Sequence, residues 1–269
     1  MSTNFLSIND TTLHYEERGS GNPLLFIHAG VADLRMWDEQ VAWFAHAYRT
    51  IRFDMRGFGQ SLMQPGSFSF HGDVVGVLDA LGITKAILIG CSFGSLVALN
   101  VALDTPERVA GLILASPSVD GETPSERIRQ FWRDEAAALE TGDIAGATEL
   151  NLRLWVDGPH RTPEQVDPDV REQVRTMQEA IFRLPQVEEV EVIELDPQAI
   201  ERLERVTVPT LVIAGALDLE EKVALAKEAA TRIPNAQYVE IAEAAHMVNM
   251  EQPIIFNQHV QRFIQELHV

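Results

Sequence analysis

The stretch Ala86-Ile87-Leu88-Ile89-Gly90-Cys91-Ser92-Phe93-Gly94 decides how the rest of the chain is read. Its first four residues are uninterruptedly apolar, as expected of a strand covered on both faces. Gly-x-Ser-x-Gly follows at once, and a helical pattern runs on over residues 93–103. Turning a strand into a helix within so few residues needs a sharp bend, and glycines on either side of Ser92 remove side chains that would strike neighbouring backbone. The serine is then held in a strained conformation beside the unpaired amides of a helix N-terminus. From there the Phe93 N–H can donate to a developing oxyanion. A Gly-rich turn with an incidental serine fits five letters alone; the strand before and the helix after make the pattern specific. Cys91 is a rival nucleophile because a thiolate is intrinsically stronger, but the bend turns its side chain elsewhere and small buried filler is its expected role.

Outward from this point, short apolar runs alternate with helical patterns. Residues 5–8 and 12–17 read as a hairpin around Asn9-Asp10, residues 24–27 and 50–53 as buried strands, and residues 36–47 and 70–81 as helices. Strand 109–115 follows the central helix; strand 210–214, helix 221–232, strand 237–241 and helix 252–267 close the chain. This rhythm predicts parallel βαβ units, hence an α/β fold with a mostly parallel open twisted sheet covered by helices on both faces. Between them, residues 120–204 carry much of the excess acidity and read as helices near 125–140, 144–156 and 168–184, broken by Pro159, Pro163, Pro185 and Pro197. No convincing buried strand is read there; residues 190–195 alternate but are acidic between. The expected organisation is a core formed by residues 1–119 and 205–269, with residues 120–204 as a helical cap.

The chain has 269 residues and a net charge of −19, from 21 basic and 40 acidic side chains. A nucleic-acid binder needs a basic face to displace counterions, so that class is excluded, and anionic membrane surfaces are disfavoured. No run approaches the length of a membrane span, and Met1-Ser2-Thr3-Asn4-Phe5 opens no basic-then-apolar leader, so a cytoplasmic protein is expected. One cysteine permits neither an intrachain disulfide nor a Cys-rich metal site. No metal or organic cofactor is expected, and the oligomeric state is not legible.

A serine hydroxyl needs a base, and histidine titrates in the useful range. Eight histidines compete: 14, 28, 46, 71, 160, 246, 259 and 268. His14 alternates in a strand, His46, His71 and His259 fall in or beside helical patterns, His160 lies in the insertion and His268 at the terminus. His28 is expected to hold its own loop by hydrogen bonding. His246 alone occupies a short loop between a late strand and a final helix. Asp218 follows strand 210–214, so Ser92, Asp218 and His246 can converge at strand carboxyl ends in the order Ser…Asp…His. Asp218 would accept from the histidine Nδ1–H, fixing its tautomer. Glu220 and Glu221 suit the start of the following helix. Asp120 is the reserve acid.

With these motifs in order, the sequence resembles the α/β-hydrolase superfamily over essentially everything but the insertion. His28-Ala29-Gly30 is similar to the His-Gly-x oxyanion loop, Asp54-Met55-Arg56-Gly57-Phe58-Gly59-Gln60-Ser61 to the D-x-R-G-x-G-x-S loop, and Gly90–94 to the nucleophile elbow. Ala214-Gly215-Ala216-Leu217-Asp218 and Ala244-Ala245-His246 resemble the acid and base loops. The resemblance implies a Gly30 amide as second oxyanion donor, with Ala29 as the fallback, and a structural role for Asp54 and Arg56. Ala29 and Ala245 depart from glycines usual in the family. Residues 28–37 are loosely similar to enol-lactonase-type enzymes, which favours a small ester or lactone as substrate. Carbon–carbon cleavage of a dienone-type acid by the same triad is the alternative, with Arg35, Arg129, Arg133 and Arg153 available for an anion. Epoxide and haloalkane hydrolysis would put aspartate at the elbow, and proline iminopeptidases a Gly-Gly-Pro-Gly run; both are absent. A non-catalytic binding or signalling module of the same fold is the reading from another class. The insertion aromatics Phe131, Trp132, Trp155 and Phe182 either face the pocket or pack within the cap.

Overall fold

The computed structural model describes residues 4–267; His268 and the expectation drawn from residues 1–3 lie outside the described residues. The N-terminal hairpin forms as read: β1 (Asn4–Ile8) and β2 (Thr11–Arg18) pair antiparallel across Asn9-Asp10, with Asn9 at φ +42°. After it come β3 (Pro23–Ile27), α1 (Asp38–Phe44), β4 (Arg49–Phe53), the short β5 (Gly66–Phe68), α2 (Phe70–Ala80), β6 (Ala86–Cys91), α3 (Phe93–Asp104) and β7 (Val109–Ala115). The C-terminal part supplies β9 (Thr210–Gly215), α7 (Glu220–Arg232), β10 (Gln237–Ile241), α8 (Val248–Glu251) and α9 (Pro253–Glu266). The main sheet has eight strands in the order β1-β2-β4-β3-β6-β7-β9-β10. β2 pairs antiparallel with β4, and every pair beyond it is parallel.

β6 lies near the centre, and all six of its residues are buried. Its side chains alternate between two cores, as a pleated strand requires. Ala86 and Leu88 join the core roofed by α2, α3 and α7, while Ile87, Ile89 and Cys91 join the one roofed by α1, α8 and α9. The continuous apolar run is therefore a consequence of two buried faces.

Two expected helices differ at their ends. The pattern over residues 36–47 resolves into a 3₁₀ turn, Leu34–Trp37, whose first amides are capped by Asp33, followed by α1. The last helix forms as read, with α9 starting at Pro253, and the short α8 precedes it, ended where proline cannot donate into its turn. The other of the two lies within residues 120–204, where α4 (Glu126–Glu140), α5 (Ile144–Asn151) and α6 (Pro168–Phe182) form. The pattern expected over 144–156 is α5 continued by a wide π turn, Leu152–Asp157. The acidic alternation near 190 does form a strand, β8 (Val190–Val192), but an exposed one paired with β5 in a separate two-stranded ribbon. Leu152, Val156, Val166, Val174 and Met177 of this segment join the second core.

Ion pairs tie this acidic segment together. Glu149 accepts from Arg171, Arg175 and Arg153 at 2.7–3.1 Å. Burial alone would raise its carboxyl, but these guanidinium hydrogen bonds bring it down from 4.5 to about 2. A folded value below the unfolded one adds stability above the unfolded value, and that stability is lost as pH falls toward the folded value. Lowering the pH from about 4.5 toward about 2 should therefore weaken the folded state, and Glu149→Gln should shrink that loss. Urea unfolding followed at both ends of this window tests it.

The Asp54 carboxylate, nearly fully buried, accepts from the Leu34 amide (2.9 Å), the Gln60 amide (2.9 Å) and His14 Nδ1 (2.8 Å). Arg56 forks onto Asp73 with two 2.8 Å bonds and reaches Asp10 at 2.9 Å. Both hold their loop, as the resemblance implies. Leaving buried donors unpaired costs roughly 1–3 kcal/mol each, so Asp54→Ala should lower the unfolding free energy by about 3 kcal/mol or more in urea titration.

Candidate active site

Ser92 sits between β6 and α3 with φ +52° and ψ −115°, a conformation L-residues rarely adopt. Close approach on both sides enforces it. A Cβ on Gly90 would strike the Gly94 carbonyl, and one on Gly94 would strike the Ile27 and His28 carbonyls at the end of β3. The Ser92 amide donates to Ala115 O of β7 at 2.9 Å, so both neighbouring strands anchor the bend. Ser92 itself remains partly exposed.

Asp218 follows β9, and His246 follows β10. His246 Nδ1 lies 2.7 Å from Asp218 Oδ2, with both side chains about 2% exposed. The other carboxylate oxygen accepts the Leu219 amide at 2.7 Å, which fixes the carboxylate plane. The Leu217 amide donates to Ala244 O at 2.8 Å, stitching the acid loop to the base loop. The base loop touches the elbow, since Cys91 Sγ lies 3.9 Å from His246 O. His246 Nε2 is buried and hydrogen-bonded to no described residue, Ser92 included. With Nδ1 donating to Asp218, Nε2 is the ring nitrogen left able to accept a proton.

Gly30 and Phe93 also meet: a Cβ on Gly30 would lie 3.6 Å from Phe93 Cβ. Phe93 is the first residue of α3, where the amide has no partner within the helix. Ala29, the fallback donor, has a partner of its own. Its amide already donates to Met36 Sδ at 3.2 Å. His28 behaves as a loop anchor: Nδ1 lies 2.8 Å from Ala29 O, and Nε2 accepts the Met55 amide at 2.9 Å. Accepting at Nε2 places the proton on Nδ1, and full burial holds the ring's pKa below the ordinary histidine value. Asp120, the reserve acid, is bonded to Asn100 Nδ2 at 3.1 Å.

Neither alanine departure strains the backbone, as Ala29 and Ala245 both lie outside the positive-φ residues. Ala245 is accommodated by Gly158. A Cβ on Gly158, which has φ +72°, would lie 3.1 Å from Ala245 Cβ and 2.7 Å from Leu217 O. Glycine at 158 therefore leaves room for a methyl group at 245. Of the four insertion aromatics, Trp155 on the π turn reaches the site. Its ring lies 4.7 Å from the His246 ring, and Phe131 packs edge-on against it at 5.9 Å. Trp132 is half exposed, and Phe182 lines a groove with Met63 and Ile181. The four arginines considered for an anionic substrate are all engaged: Arg35 with Asp33, Arg129 and Arg133 with Glu126, and Arg153 with Glu149.

Sequence reasoning missed Glu251, Arg161 and Gly158. Glu251 Oε1 accepts the Ala245 amide at 2.9 Å, and its other oxygen pairs with Arg161 Nη1 at 2.6 Å. Burial pushes the Glu251 carboxyl up, with Arg161 pulling against it. One carboxylate before a proline and one arginine in an irregular segment carry no motif, so nothing in the sequence marks them as partners.

A family model described as the alpha/beta hydrolase fold matches residues 22–253, and the chain belongs to that family. Among curated relatives, a 3-oxoadipate enol-lactonase of Acinetobacter baylyi is 28% identical over 264 residues, covering 95% of this chain and 94% of its own. The enol-lactonase from Burkholderia xenovorans superposes with a TM-score of 0.78 at 25% identity, over 97% of this chain and 100% of that one. A thermophilic esterase from Thermogutta terrifontis gives 0.81 at 25% identity, over 100% of both. No described helix is long and apolar enough to cross a membrane.

Burial pushes the Cys91 thiol far up, and the Asp218 charge adds to this. Raised and enclosed, it stays protonated and inaccessible. Ellman's reagent in mildly alkaline buffer should leave the folded protein unmodified and titrate one thiol in urea.

Proposed function

We propose that this chain is an ester-bond hydrolase that cleaves a small carboxylic ester or lactone through an acyl-enzyme on Ser92. The observation that carries the reading is the buried Asp218–His246 hydrogen bond, whose free Nε2 belongs to a loop packed against the Ser92 bend. In this mechanism His246 Nε2 takes the Ser92 proton as Oγ attacks the acyl carbon. The carbonyl electron pair moves onto oxygen, where the Gly30 and Phe93 amides donate to it. The tetrahedral species collapses, the C–O bond breaks, and the imidazolium protonates the departing alcohol or enol oxygen. Water then attacks the acyl-enzyme, with His246 again as base, and releases the acid. Asp218 holds the Nδ1–H tautomer and offsets the imidazolium charge.

Residues 120–204 act as a cap in this reading, with Trp155 forming part of the roof over His246. The engaged state of Arg35, Arg129, Arg133 and Arg153 supports an uncharged ester or lactone over a dienone-type acid. A cytoplasmic location belongs to the same reading, supported by a lone cysteine with no disulfide partner. Retention of all three side chains in bonded or adjoining loops supports an enzyme over a binding module.

A fluorophosphonate probe should label the wild type at Ser92 and leave Ser92→Ala unlabelled. Hydrolysis of p-nitrophenyl acetate should fall by about 10³-fold or more in Ser92→Ala with thermal stability retained. Labelling elsewhere, or Ser92→Ala turning over near the wild-type rate, overturns the acyl-enzyme.

A further inference from the structure

His246 is oriented from two directions. Asp218 fixes its ring, but a ring on a loop is only as well placed as the loop backbone. The residue before it, Ala245, is fully buried, and its amide donates to Glu251 Oε1 at 2.9 Å across six positions of chain. Glu251 does not stand alone. Its second oxygen meets Arg161 Nη1 at 2.6 Å, with the two side chains 4% and 12% exposed. The same guanidinium donates to Asp157 O at 2.9 Å and Val156 O at 2.7 Å. Those carbonyls close the π turn that carries Trp155 over the His246 ring. Between them lies Gly158, packed on Leu217 O and the Ala245 methyl. One guanidinium therefore joins the end of the Trp155 turn to the backbone of the base loop.

We infer that Arg161 and Glu251 are a positioning pair by which residues 155–161 of the insertion set the placement of the His246 imidazole. Neither touches the reacting atoms; both act through the Ala245 amide. The inference rests on the acyl-enzyme reading, since it concerns the base of that reaction. Because His246 serves both acylation and deacylation, loss of its placement lowers the two rates together and leaves KM little changed. A displacement of about 1 Å at such a group costs up to about 10²-fold in rate.

The test measures kcat on p-nitrophenyl acetate per serine titrated by exhaustive fluorophosphonate labelling, so misfolded material is not counted. Glu251→Ala should lower kcat by about 10–100-fold, with KM within about threefold of the wild type. Glu251→Gln, which keeps an oxygen for the Ala245 amide, should recover much of that loss. Arg161→Met should lower the same constant, and Arg161→Lys should restore part of it. Should Glu251→Ala fail to fold, Arg161→Met, altered on the insertion side, still reads the pair. Unchanged kcat per titrated serine in Arg161→Met or Glu251→Ala, even with a lowered melting temperature, overturns the positioning role and leaves the acyl-enzyme reading intact. Wild type that is not labelled at Ser92 overturns the underlying reading instead.

Discussion

The approach of α3 to the ends of β3 and β6 is the constraint from which the rest follows. Gly90 and Gly94 let the helix start where any larger residue would meet the Ile27, His28 or Gly94 carbonyls. That contact leaves Ser92 at φ +52°, with the first helix amide free beside it and the Gly30 loop packed on Phe93. It also determines what can stand next to the bend. β3 and β7 flank β6, and β9 lies beyond β7, so the loops after β3, β9 and β10 gather at one edge of the sheet. Backbone strain of this size persists only where surrounding packing over-determines it. Here β6 is fully buried on both faces, and its amide–carbonyl ladder continues into the Ser92 amide.

How much of this was legible depends on whether a residue's role comes from local pattern or from a distant neighbour. Strands 24–27, 86–89 and 109–115 are apolar because both faces are covered, and that cause acts residue by residue along the sequence. Ser92 and Asp218 each stand just past a fully buried strand, β6 and β9, and His246 follows the edge strand β10, so position along the chain is what marks the three as candidates. The helix ends were less legible, because Trp37 and Leu152 continue an apolar pattern across a change from one helical pitch to another. β8 was missed for a related reason: an exposed two-stranded ribbon needs no buried face, so its acidic alternation looks like solvent-facing chain.

Gly30 and Ala29 show the same limit at atomic scale. The sequence offered two amides for one role, and choosing between them depended on a methionine seven residues away. Met36 lies within the 3₁₀ turn that Asp33 caps, and its sulfur takes the Ala29 N–H. Nothing in His28-Ala29-Gly30 encodes that partner.

Residues 120–204 carry much of the chain's acidity, yet their contact with the site depends on arginines. Arg171 and Arg175 gather Glu149, Arg171 also holds the buried Asp157, and Arg161 reaches Glu251. A salt bridge between enclosed groups is a poor source of net stability because both ions lose water, but breaking one strands a charge, so it specifies geometry strongly. That asymmetry suits a segment whose apolar anchors in the second core, such as Leu152 and Val156, fix position broadly while ion pairs fix orientation. It also explains why alanine is tolerated at 245. The base loop is shaped jointly by Gly158 and Glu251, so the space and hydrogen bond that its backbone needs come from outside the loop.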